Sequence, residues 1–100
     1  MTDLTALESS VEKWFKVVYR GECGIGSCAL CIKHPECRKN GLCPIVKAVG
    51  DIRCRGTSYY DFVNKAPFRG KVHNYQSMIE AKAMYRFLEV LLIQLEMEEC

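Results

Sequence analysis

Residues 28–54 read CALCIKHPECRKNGLCPIVKAVGDIRC, with cysteines at 28, 31, 37, 43 and 54. The opening Cys28-Ala29-Leu30-Cys31 is a C-x-x-C turn, which brings two thiolates to one side of a tight loop where they can share one tetrahedral ion. A second pair must come from elsewhere in the stretch. Cys43 and Cys54 supply it, with Cys37 as an alternate ligand. Arg53 and Arg55 flank Cys54, and Arg38 and Lys39 follow Cys37. Positive neighbours favour the thiolate form that binds metal. Zinc (Zn2+) is the expected ion. An iron–sulfur cluster is the alternative, because the spacing lacks the closely repeated cysteines of ferredoxins. His34 could complete a Cys3His set, but a His34-Pro35 step that opens a turn is the preferred reading.

The whole chain has 100 residues and seven cysteines, the outer two being Cys23 and Cys100. That length predicts one domain, 1–100, with a modest core that a staple would help. Met1-Thr2-Asp3-Leu4 carries neither a basic n-region nor an apolar h-region, so the expected location is cytoplasmic. Clustered cysteines in a reducing compartment predict metal ligation before disulfides. Cys23 and Cys100 read as bystanders. No apolar run approaches the roughly 20 residues that span a bilayer, so no membrane partner is expected.

Outward from the cysteines, the chain reads as helix on both sides. Leu4, Leu7, Val11, Trp14 and Val18 step by three and four residues, one face of an amphipathic helix over residues 4–20. Thr5 and Glu8 resemble a capping box, Asp3 could cap an earlier start, and Gly21 is a natural stop. Residues 75–97 contain no glycine or proline, and Met78, Ala81, Tyr85, Leu88, Leu92 and Leu95 form a short heptad-like seam. Further apolar residues surround that seam. Such a helix is either buried against several elements or pairs with another chain. The segment 21–73 is broken repeatedly by glycine and proline. It predicts two short helices, one from Pro44 to near Gly50 and one from Tyr59 to about Asn64 capped by Thr57 or Ser58.

Charge is distributed unevenly. Residues 21–75 carry nine bases and four acids, whereas residues 76–100 carry two bases and five acids. The cysteine-rich segment is therefore basic and attracts polyanions or acidic proteins. Arg38, Lys39, Arg53 and Arg55 are the candidate partner-binding residues. Tyr59, Tyr60 and Phe68 are candidates for stacking on nucleic-acid bases, with a core role for the tyrosines preferred. No phosphate loop, dinucleotide fingerprint or paired-carboxylate site is legible. Cys28 and Cys31 lack the βαβ context of a thioredoxin-type redox pair. No catalytic residue is assigned, and an enzyme is not expected.

The order Trp14, Gly21-Glu22, Cys28-Ala29-Leu30-Cys31, Cys37, Cys43-Pro44-Ile45, Cys54-Arg55-Gly56-Thr57, Tyr59 or Tyr60, Phe62 resembles a group of small uncharacterised cysteine-rich proteins of phages, bacteria and archaea. Their pattern is a tryptophan-bearing helix, C-x-L-C, a cysteine leading into a Cys-Pro pair, then C-x-G-T-P-Y. The resemblance covers about residues 14–62. The Cys37–Cys43 interval is longer than the group's usual C-x-x-C-P, and Ser58 stands where proline is frequent. The resemblance implies a recurring cysteine-stapled module, often on mobile elements, and no catalytic residue.

The expected fold is thus a small, mostly-α, metal-stapled domain: an N-terminal helix, an irregular cysteine-rich loop with short helices, and a long C-terminal helix. The expected function is a non-enzymatic zinc-stapled binding or regulatory module, phage or mobile-element encoded. It would act by protein–protein contact on a host or phage protein, for example by inhibiting a host protein or defence complex. Nucleic-acid binding by the basic loop is one alternative, and an iron–sulfur or redox protein another. A homodimer through the C-terminal helix is a further expected partnership.

Overall fold

The computed structural model describes residues 2–24, 29–34, 43–50, 57–65 and 71–99, with Cys31, Tyr60, Asn64, Lys65 and Glu99 described by their backbone only. Within them lie five helices and no strand: α1 (Asp3–Arg20), α2 (Ala29–Lys33), α3 (Pro44–Val49), α4 (Ser58–Lys65) and α5 (Tyr75–Glu99). The mostly-α architecture expected from the sequence is present.

Helix α1 starts one residue earlier than its hydrophobic stripe indicates. Thr2, and not Thr5 or Asp3, is the N-cap: its Oγ1 accepts a hydrogen bond from the Thr5 N–H at 3.1 Å. Asp3 then falls in the first turn, where a carboxylate offsets the positive end of the helix. The helix stops at Gly21, whose φ of 66° is left-handed and suits a residue without Cβ. Its buried face is Ala6, Leu7, Ser10, Trp14, Val17 and Val18. The buried Ser10 hydroxyl is satisfied within the helix by donating to the Ala6 carbonyl at 3.1 Å.

The short helices follow their punctuation. Pro44 opens α3 and Gly50, with φ 74°, closes it. Thr57 Oγ1 accepts from the Tyr59 N–H at 3.2 Å at the head of α4. Helix α2, a five-residue turn that contains Cys31, was not expected. Leu30 anchors it, fully buried in the core beneath α1.

Helix α5 is 25 residues long, about 37 Å at 1.5 Å per residue. That matches the 38 Å long axis of the molecule. Helix α1 lies antiparallel along it. Phe15 and Tyr19, at the end of α1, meet Tyr85 in the first half of α5, while Asp3, at the start of α1, shares a groove with Leu91, Leu95 and Glu98 near the end of α5. Helix α4 covers the other flank. The core between them holds Leu7, Trp14, Val17, Leu30, Ile45, Phe62, Ala81, Met84 and Leu88. Trp14 is its centre, edge-on to Phe62 at 5.2 Å between ring centroids and to Tyr59 at 5.9 Å. Such edge-to-face pairs add about 0.5–1.5 kcal/mol beyond the area they bury.

The buried line of α5 differs from the expected seam. Ser77, Ala81, Met84 and Leu88 are buried, and Leu91 and Leu95 continue the line half-buried. Met78, Tyr85 and Leu92 sit to one side, also half-buried. The reason is composition: this helix is apolar almost all round, so periodicity alone does not select a face. The positions of α1 and α4 select it.

Candidate metal centre and contact surface

Of the expected ligands, Cys43 is the one whose side chain is described. It precedes α3, is 6 % exposed, and belongs to the core cluster with Ile45. Its backbone is extended (φ −61°, ψ 131°), and its carbonyl accepts from the Lys47 N–H at 3.0 Å. The backbone of Cys31 lies within α2, on the turn anchored by Leu30. Cys28, Cys37 and Cys54 lie outside the described residues, as do Arg38, Lys39, Arg53 and Arg55. Among the described residues no three of His, Cys, Asp and Glu converge as a metal site would require. Cys23, read as a bystander, is exposed.

His34 is engaged with the start of α1. Its Nε2 meets the Asp3 Oδ1 at 2.5 Å, and Lys33 Nζ donates to the same oxygen at 3.1 Å. Burial would raise the Asp3 carboxyl, but the hydrogen bonds and charges of His34 and Lys33 outweigh it and hold Asp3 below its ordinary value. This cluster pins the end of α2 to the start of α1. It therefore positions the Cys31 turn relative to the core. Nothing in the sequence pattern pairs residues 31 apart, so the sequence alone offers Asp3 only as a possible cap.

The stacking candidates divide in the same way. Tyr59 packs on Trp14 and is half-buried, so it is a core residue, as the preferred reading had it. Tyr60's side chain and all of Phe68 lie outside the described residues. A second aromatic cluster, nearer the surface, was not anticipated. Phe15, Tyr19 and Tyr85 form a cluster with centroid separations of 4.9, 6.0 and 6.3 Å, across the line where α1 meets α5. Burial, and then the nearby Glu89 carboxylate, push the Tyr85 hydroxyl above its ordinary pKa, so it stays a neutral donor.

A groove of about 230 Å³ runs between α3 and the end of α5. Pro44, Lys47 and Ala48 line one wall and Leu91, Gln94, Leu95 and Glu98 the other, with Asp3 at one end. Leu91 therefore faces α3.

A row of exposed aliphatic side chains lies elsewhere on α5. Ile79, Val90, Ile93 and Met97 are 40, 49, 55 and 72 % exposed. At 100° per residue, positions 79, 83, 86, 90, 93 and 97 all fall within about 40° of the direction opposite Leu88. A single exposed aliphatic is ordinary, whereas these form a row along one helix. Among the described residues no helix is long and apolar enough to cross a membrane. No protein-family model, curated protein or solved structure matches the chain.

Proposed function

We propose that the chain is a non-enzymatic binding module that works by protein–protein contact. One zinc ion, held by Cys28, Cys31, Cys43 and Cys54 with Cys37 as the alternate ligand, would fix the segment that carries Arg38, Lys39, Arg53 and Arg55. The observation that carries the contact reading is the row of exposed aliphatic side chains on the face of α5 turned away from the core. Leaving a Leu- or Ile-sized side chain in water forgoes roughly 1.5–3 kcal/mol, which favours covering several of them with another protein surface. A phage or mobile-element origin and a host protein as target belong to the same proposal, on the strength of the resemblance.

The competing class is nucleic-acid binding by the basic segment. Tyr59, one of its stacking candidates, is engaged with Trp14. Titration of the protein with mixed-sequence oligonucleotides across a range of salt separates the classes. Protein contact predicts no binding tighter than about 100 µM at physiological salt, where even non-specific DNA binders commonly reach that level. Tight binding whose affinity falls steeply with salt overturns the reading in favour of nucleic acid.

A further inference from the structure

The outer face of α5 repeats at steps of four, three, four, three and four residues: Ile79, Ala83, Arg86, Val90, Ile93 and Met97. This is a heptad line, nineteen residues and about 27 Å long, and all six positions are exposed. It is separate from the buried line of Ser77, Ala81, Met84 and Leu88 that packs against α1 and α4.

From this line we infer that the chain pairs with a second copy of itself, α5 against α5, antiparallel. The inference rests on the protein-contact reading above and names the partner. In an antiparallel pair with a two-fold axis near position 88, Ile79 meets the partner's Met97, Ala83 meets the partner's Ile93, and Arg86 meets the partner's Val90. Each contact occurs twice, so one apolar face is complementary to itself, as a two-fold interface requires. Ala83 is the one small residue along it, and the partner's Ile93 fills the space it leaves.

Charge decides the direction. Lys82, Glu89 and Glu96 follow one another at seven-residue steps along one border of the line. Antiparallel pairing sets Lys82 beside the partner's Glu96, and Arg86 beside the partner's Glu89. The two-fold axis repeats each of them, so Lys82 and Glu96 make two attractive contacts, and the two Arg86 side chains flank the point where the same register brings Glu89 against the partner's Glu89. Parallel pairing stacks Arg86 on the partner's Arg86 at the centre of the seam and leaves Lys82 and Glu96 without opposite charges. Border charges set orientation in paired helices in this way.

The test is sedimentation equilibrium on the full chain, with circular dichroism as the check on folding. The wild type should be dimeric at tens of micromolar. The double variant Val90→Asp, Ile93→Asp should be monomeric with unchanged helicity, because both positions are exposed. Lys82→Glu and Glu96→Lys should each weaken the dimer on the order of tenfold, since two attractive pairs become repulsive. The two together should restore wild-type association. A wild type that remains monomeric near 1 mM overturns the pairing. So does a folded Val90→Asp, Ile93→Asp variant that still dimerises. Failure of the charge-reversed pair to recover overturns the antiparallel register. A monomer that also ignores oligonucleotides sinks self-pairing alone, whereas salt-sensitive oligonucleotide binding sinks the protein-contact reading.

Discussion

The Asp3 carboxylate, in the first turn of α1, accepts from His34 Nε2 at 2.5 Å across 31 residues of chain. With Lys33 on the same oxygen, it joins the start of the domain to the turn that carries Cys31. Because the folded state holds this carboxyl below its unfolded value of about 3.9, the folded protein resists its protonation. The stabilisation is complete above that value and disappears as pH falls through the depressed folded pKa. Asp3→Asn should therefore cost about 1–2 kcal/mol at pH 7, and the difference from wild type should shrink towards zero below about pH 4. Urea unfolding at pH 7, 5, 4 and 3 measures it. A gap that stays constant over that range would mean the carboxylate charge contributes nothing.

Gly24 faces the core at a place where any side chain collides. A Cβ there would stand 2.7 Å from Phe62 Cε1 and 3.2 Å from Trp14 Cη2, both on buried rings. Neither ring has room to retreat, so Gly24→Ala should destabilise by about 1–3 kcal/mol through overpacking. Gly21, three residues earlier, offers a control with a different cause. A Cβ at Gly21 would touch nothing, but its φ of 66° is left-handed, so Gly21→Ala should cost about 1–2 kcal/mol through the backbone alone. Near-ultraviolet dichroism of Trp14 separates the two: it should change for Gly24→Ala and stay constant for Gly21→Ala.

These two glycines show where sequence reading succeeds. Gly21 ends an amphipathic stripe, a local signal, and its capping role was legible. Gly24 looks like loop punctuation; its function is to admit the Phe62 ring, 38 positions away in the chain. The same division runs through the fold. Helices α1 and α5 announce themselves by periodicity, α1 and α3 by Gly or Pro at their ends, and α4 by the hydroxyl residue that precedes it. Helix α2 does not, because it is one turn held by the burial of Leu30. On α5 the element was legible and the orientation was not, since Met78, Tyr85 and Leu92 are as apolar as the residues that are buried. The ligand set rests on spacing, and Cys43 is the member whose buried position the structure adds.

The cysteine segment leads to a compositional prediction. Native mass spectrometry should find about one zinc per chain, and on the zinc reading metal binding should be part of folding. Cys28→Ser or Cys31→Ser should release the metal and unfold the middle of the chain. Cys100→Ser should change stability by less than about 0.5 kcal/mol. Metal-free protein with disulfides mapped among Cys28, Cys31, Cys43 and Cys54 would refute the zinc reading, and a coloured protein with visible absorption would favour an iron–sulfur cluster.

The start of α5 is held by a reciprocal pair. The Asn74 Oδ1 accepts from the Ser77 N–H at 2.8 Å, and the Ser77 Oγ accepts from the Asn74 N–H at 3.2 Å and the His73 N–H at 3.1 Å. The Ser77 hydroxyl also donates to the Asn74 carbonyl at 3.0 Å. The first turn of any helix leaves four N–H groups without helical partners, and here Asn74 satisfies one while Ser77 reaches back to two that precede the helix. Ser77 is fully buried, so water cannot replace its hydroxyl. Asn74→Ala should cost about 1–2 kcal/mol and Asn74→Ser much less, because serine also caps. Ser77→Ala loses the same box but gains helix propensity of up to about 0.7 kcal/mol, so its net cost should be the smaller. The double variant should fall short of the summed single losses by about 0.5–1 kcal/mol, since each substitution breaks bonds the other shares. Additivity within about 0.3 kcal/mol in urea unfolding would show that the two residues act independently.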